Sequence, residues 1–209
     1  RSTLFPYTTL FRSLRYAKIK VGFGLDEGVQ MGPVITAKAR DRIVGLIDDA
    51  EKRGAKVALD GRGLKVEGYE GGFWLGPTVL THVPLDAPAY KEEIFGPVLC
   101  IVDAENYAEA IEIVNASEFG NGAAIFTNDG GYARRFQLDV EAGMVGVNVP
   151  IPTPVAYYSF GGWKESLLGD THIHGPEGVH FYTRAKAITT RWPSESGAYA
   201  ATMSFQREE

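Results

Sequence analysis

From Val98 to Val149 the apolar residues and turn signals give the order strand, helix, strand, helix, strand. No other feature of the chain restricts its fold so strongly. Strands that alternate with helices pair in parallel through crossovers, and the crossovers lay helices on the faces of the sheet. The stretch therefore predicts an α/β fold with a largely parallel sheet flanked by helices. Val98–Val102 is a continuous apolar run with β-branched residues, the pattern of a buried strand. Asn106 followed by Glu109 marks a helix start, with Ile111 and Val114 on one face. Ala123–Phe126 reads as a short buried strand. Tyr132, Phe136 and Val140 recur at helical spacing, and Gly143 then precedes a strand from Met144 to Val149 that stops at Pro150.

The part before Val98 follows the same logic. Ala39, Ile43, Ile47 and Ala50 recur at helical spacing between Thr36 and Arg53, with Gly54 as a C-terminal cap. Val57 and Leu59 alternate in a short strand, and Phe73–Val83 is a second strand region interrupted at Gly76-Pro77. After Pro150 the texture changes. Pro150, Pro152 and Pro154 give a stiff extended loop. Lys186–Trp192 is a last strand candidate, and residues 193–209 read as a flexible tail.

Composition sets the outer limits. At 209 residues, with 44% hydrophobic and 22% charged, the chain is of ordinary globular make-up and has enough apolar side chains for a core. One domain is the default at this length, and two small ones are an alternative. Lys and Arg number 21 against 26 Asp and Glu, a net charge of −5, so no general basic footprint points to nucleic acid or an anionic membrane. Cys100 is the single cysteine; it forms no intrachain disulfide and suits a reducing compartment such as the cytoplasm.

Residues 1–13 stand apart. Thr3-Leu4-Phe5 recurs as Thr9-Leu10-Phe11, and Thr3–Ser13 matches the in-frame translation of a common short-read sequencing adapter. There is no apolar segment of signal-peptide length. The expectation is that these residues are non-native, and that the natural sequence begins near Leu14, at the end of a helix.

Few residues carry chemistry on their own. No dinucleotide fingerprint or Walker loop is present, and Gly22-Phe23-Gly24 lacks the third glycine and the following helix. His172 and His174, with His180 further on, could be metal ligands, but the spacing fits no familiar site and a solvated loop is the better account. Asn115-Ala116-Ser117 is a formal glycosylation acceptor without a sign of secretion. A catalytic cysteine needs an electropositive, partly exposed setting, whereas Cys100 lies inside an apolar strand. The chain therefore offers no catalytic nucleophile of its own and no metal site. The most informative stretch is Glu92-Glu93-Ile94-Phe95-Gly96-Pro97, just before the strand at Val98. A carboxylate there can accept hydrogen bonds from two adjacent sugar hydroxyls, and an aromatic two residues away can pack on a flat ring. On the residues alone, however, Phe95 in the core and Glu93 in water is the better account.

Motifs in order change that balance. Glu93-Ile94-Phe95-Gly96-Pro97, Gly32-Pro33, Gly120-Asn121-Gly122, Gly146-Val147-Asn148, Phe160-Gly161-Gly162-x-Lys164 and Phe181-Tyr182-Thr183 together resemble the aldehyde dehydrogenase family over about residues 14–192. Val149-Pro150-Ile151-Pro152-x-Pro154 with Ser159-Phe160, Gly169-Asp170-Thr171 and Ala187–Trp192 are similar to its CoA-acylating, methylmalonate-semialdehyde branch.

The resemblance implies a partial catalytic domain over residues 14–185 and an oligomerisation strand at Lys186–Trp192, which makes a homo-oligomer. It implies that a Cys thiolate attacks an aldehyde, hydride passes to NAD, and CoA as co-substrate takes the acyl group. Glu93 and Phe95 would be cofactor-binding, Glu93 on the nicotinamide ribose hydroxyls and Phe95 beside the nicotinamide ring. Phe160 would line the substrate pocket. Arg42 falls where relatives often place a Lys near the adenosine side of the cofactor; the residue types differ, and its role is left unassigned. The resemblance also places the nucleophilic Cys, the general-base Glu and the Rossmann domain upstream of Leu14, so the chain alone is expected to be inactive, with unpaired sheet edges and an uncovered apolar face. A hydrolytic branch of the family and a non-catalytic oligomerisation module stay open as alternatives.

Overall fold

The structure is a computed structural model that describes residues 15–190 and Trp192. The adapter-like segment at 1–13 and the tail at 193–209 lie outside the described residues. The chain forms two compact units: one holds the described residues up to Glu118 together with Arg135–Glu141, and the other holds Phe119–Arg134 and the described residues from Ala142 onward.

The first unit is built on helix α1 (Ala37–Lys52) and a three-stranded sheet. Thr36 starts α1, its Oγ1 accepting from the Ala39 amide at 3.0 Å. The end is closed by Gly54 at φ 109, with the Ala55 amide donating to the Ala50 carbonyl and the Gly54 amide to that of Glu51. The sheet runs β1 (Lys56–Leu59), β2 (Thr78–Thr81) and β3 (Val98–Cys100) in spatial order, β1–β2 antiparallel and β2–β3 parallel. As the middle strand, β2 is buried at every position. The β3 strand is half-buried rather than buried, because it is the edge of this sheet. Ile43, Leu46, Ile47 and Ala50 of α1 pack with Leu75, Leu80 and Val83 in one apolar cluster. Each large side chain taken out of water there contributes about 1.5–3 kcal/mol. Thr78 is the fully buried polar member, and its hydroxyl accepts from the Gly61 amide at 3.1 Å.

Helix α2 (Pro88–Lys91) leads into the loop before β3, and α3 (Tyr107–Asn115) follows it. Asn106 caps α3, its Oδ1 accepting from the Glu109 amide at 3.1 Å. The Asn115 amide donates to the Asp139 carbonyl and its Oδ1 accepts from the Glu141 amide, so the acceptor-like Asn is engaged in packing the chain.

The second unit contains β4 (Phe119–Gly120), β5 (Gly122–Ile125), β6 (Met144–Val147), β7 (Trp163–Lys164) and α5 (Pro176–Tyr182). Helix α4 (Gly130–Asp139) begins in this unit and ends in the first. The β5–β6 pair is parallel, as the order of elements predicts, and β4–β7 is antiparallel. Beyond β6 the Asn148 side chain continues the pairing, accepting from the Thr127 amide at 2.9 Å and donating to its carbonyl at 3.0 Å. Asn148 holds a left-handed φ of 56, which short polar side chains tolerate best. The Pro150–Pro154 loop leaves from this point.

Candidate functional site

Loop 92–97 connects α2 to β3 and carries Glu93 and Phe95. Its shape is set by α1. Arg42 donates through one guanidinium nitrogen to the Ile94 carbonyl at 3.0 Å, and through the other to the Glu93 carbonyl and the Glu92 carboxylate, each at 3.2 Å. The next residue, Ile43, lies under Gly96: a methyl group added to Gly96 would stand 2.6 Å from the Ile43 Cδ1.

Phe95 departs from the expectation drawn from the residues alone. Its ring is not in the core: it is 79% exposed, on a backbone with φ 52. The hydrophobic effect does not hold it in that position, and the left-handed region is uncommon for a bulky residue. Glu93 is exposed too, and its carboxylate has no partner among the described residues. The two groups assigned to a cofactor through the resemblance are thus neighbours on one loop with their functional ends unused.

Phe160 belongs to the second unit and is half-buried. It stacks on His174, with 4.3 Å between ring centroids and 1° between planes. Ser159 donates its hydroxyl to the Glu177 carboxylate at 2.8 Å and lies 3.2 Å from the His172 Nδ1. His172 also fills the space above Gly161, where an added methyl group would stand 2.6 Å from its ring. The solvated-loop account of these two histidines is therefore corrected: both are half-buried supports of the segment around Phe160. Sequence reasoning missed this because a His-x-His pair carries no local signal for packing. No group of three or more His, Cys, Asp or Glu that could hold a metal ion occurs among the described residues.

Cys100 lies in β3, half-buried, with its thiol donating to the Ala89 carbonyl at 3.4 Å. Burial pushes the thiol above its ordinary pKa, the opposite of what an attacking cysteine needs. A cavity of about 510 Å³ in the first unit, lined by Tyr16, Leu59, Arg62 and Lys65 among others, contains none of these site residues.

A family model described as "Aldehyde dehydrogenase family" matches residues 12–188. The malonate-semialdehyde dehydrogenase of Pseudomonas aeruginosa is 51% identical over 187 residues, covering 90% of this chain and 38% of the relative. The mitochondrial acylating methylmalonate-semialdehyde/malonate-semialdehyde dehydrogenase of Bos taurus is 46% identical, covering 90% of this chain and 35% of the relative. Among solved structures, a putative methylmalonate-semialdehyde dehydrogenase from Sinorhizobium meliloti complexed with NAD superposes with a TM-score of 0.85 at 48% identity, over 90% of this chain and 39% of that one. The methylmalonate-semialdehyde dehydrogenase of Oceanimonas doudoroffii gives a TM-score of 0.86 at 46% identity, over 90% and 38%. The chain thus spans well under half the length of the relatives it matches.

Proposed function

The chain belongs to the aldehyde dehydrogenase family, and from that premise we propose that it is the C-terminal part of an NAD-dependent, CoA-acylating semialdehyde dehydrogenase. In this reading the intact enzyme converts methylmalonate or malonate semialdehyde to propionyl-CoA or acetyl-CoA. The observation that carries the reading is the loop at 92–97, where a carboxylate without a partner among the described residues and an exposed ring lie two residues apart on a backbone fixed by Arg42. The names of the relatives above supply the substrate class.

The residues present fit a nicotinamide dinucleotide. A carboxylate that accepts from two vicinal hydroxyls suits a ribose, and an exposed phenyl face suits a flat ring. NAD, when bound, accepts the hydride that leaves the substrate. Glu93 would hold the ribose in place and Phe95 would flank the nicotinamide ring, limiting its orientation. Phe160, supported by His174, would line the aldehyde pocket and exclude water from it. The nucleophile and the general base come from upstream of Leu14 in this proposal. Catalysis depends on holding nucleophile, aldehyde and hydride acceptor together, so the chain alone is inactive.

Lys186–Thr190 are exposed and join no ladder within the described residues, which suits a strand that pairs with a second copy. Exposed Ile151, Tyr157, Tyr158 and Tyr182 on the second unit suit the same assembly. No described helix is long and apolar enough to cross a membrane. The proposed compartment is the cytoplasm, on the reduced Cys100.

The test has two arms. The chain mixed with malonate semialdehyde, NAD and CoA is expected to give no NADH absorbance, and turnover above blank would overturn the inactive reading. The full-length parent under the same conditions is expected to release acyl-CoA. Free acid in its place would favour the hydrolytic branch, against which the Pro150–Pro154 loop speaks.

A further inference from the structure

We propose that Arg42 is the positioning residue of the cofactor loop, holding the backbone that presents Glu93 and Phe95. The inference rests on the cofactor reading of those two residues, and its geometry stands apart from that reading.

One guanidinium reaches three acceptors that follow one another in sequence: the Glu92 carboxylate, the Glu93 carbonyl and the Ile94 carbonyl. They lie 50 to 52 residues away along the chain, so this clamp is made only by folding. Ile43, adjacent to Arg42 and 1% exposed, supports the other end of the loop beneath Gly96. Two consecutive residues of α1 therefore fix the loop on both sides of Phe95. A left-handed backbone at a phenylalanine persists only where the surroundings over-determine it, and these contacts supply that constraint.

The clamp also sorts two adjacent carboxylates. Glu92 is paired with Arg42, whereas Glu93 gives Arg42 only its carbonyl. The side chain that meets the sugar is thereby the free one. The ion pair is the lesser part, since both side chains are about half exposed, at 44% for Arg42 and 55% for Glu92, and such pairs are screened by water. The two carbonyl bonds carry the positioning. They need a planar fork that spans consecutive peptides, which a lysine ammonium at the same place does not provide.

The experiment is residue-resolved amide hydrogen exchange on the full chain with Arg42→Ala, Arg42→Lys and Glu92→Gln. Arg42→Ala is expected to speed exchange of the Glu92 and Val98 amides, which donate to the Pro88 and Gly96 carbonyls at the two ends of the loop, by about tenfold while β2 amides keep their rates. Arg42→Lys is expected to restore part of the protection, and Glu92→Gln to change little. Unchanged loop exchange in Arg42→Ala would overturn the clamp. If Arg42→Ala unfolds the chain, Arg42→Lys decides: loop rates equal to those of the unmodified chain overturn it, and selective loosening supports it. In the full-length parent, Arg42→Ala is expected to raise KM for NAD about tenfold with kcat little changed. A loosened loop with an unchanged KM for NAD would leave the clamp standing and remove the cofactor reading of Glu93 and Phe95.

Discussion

The Phe160 ring and the His174 imidazole lie face to face, 4.3 Å apart and 1° from parallel. The stack holds a residue of the glycine-rich Phe160-Gly161-Gly162 segment against the turn that opens α5. A parallel aromatic pair contributes about 0.5–1.5 kcal/mol beyond the area it buries. His174→Ala should therefore raise KM for the semialdehyde in the full-length parent, by roughly two- to tenfold, with the KM for NAD unchanged. His174→Phe should keep the stack and the KM. Steady-state kinetics on both variants decides this.

The same segment constrains a glycine just before β6. A methyl group on Gly143 would overlap the Gly161 carbonyl oxygen, and that neighbour is backbone, which cannot swing aside. Overpacking of this kind costs about 1–3 kcal/mol, occasionally more. Gly143→Ala should lower the urea midpoint of the chain by a corresponding amount, whereas Gly24→Ala, with open space around it, should not.

Ile47 is fully buried at the centre of the α1 cluster, and Ile35 just before that helix is 87% exposed. Truncating a buried isoleucine loses its transfer energy and leaves a cavity, about 2–5 kcal/mol together. Ile47→Ala should bring the denaturation midpoint down accordingly. Ile35→Ala should move it by no more than about 0.5 kcal/mol equivalent. Chemical denaturation followed by circular dichroism measures both.

Arg62 bonds Asp60 and pairs with Asp48 and Glu51, and this cation holds the Asp60 carboxyl below its ordinary value of 3.8. A carboxylate whose pKa is lowered by folding stabilises the fold above its unfolded pKa and loses that contribution as pH falls through its folded value. The chain should thus lose stability progressively below about pH 4. Arg62→Ala should be less stable than the unmodified chain at pH 7, and the gap should narrow as pH falls. A gap independent of pH from 7 to 3 would contradict the assignment.

Cys100 gives a prediction of opposite sign. Burial raises its thiol pKa above the ordinary 9.0, so near and above that pH the unfolded chain ionises while the folded one stays protonated. The contribution of Cys100 is full below that pH and is lost as pH rises. At pH 8 the folded chain should react with iodoacetamide at least about tenfold more slowly than the chain in denaturant. Equal rates would mean that the thiol is open to solvent.

Local chemistry was legible from the residues. Gly54 and Asn106 cap their helices where capping residues were expected, because a cap acts within one turn of its own helix. The parallel pair β5–β6 follows from the order of elements, whereas the parallel β2–β3 pair, joined through the one-turn helix α2, was not legible in it. The half-buried state of β3 was not legible, since burial of an edge strand depends on its neighbours.

The sequence by itself determined the helices α1, α3 and α4, the strands β1, β2, β3, β5 and β6 and, through motifs in order, the family resemblance, whereas the short elements α2, β4, β7 and α5 were not legible in it. The tertiary structure alone decided that Phe95 faces outward, that Arg42 holds its loop, and that His172 and His174 brace Phe160. The physical reason is range. Periodicity and capping act between residues a few positions apart, whereas the clamp joins groups about 50 residues apart and exists only once α1 has packed against the sheet.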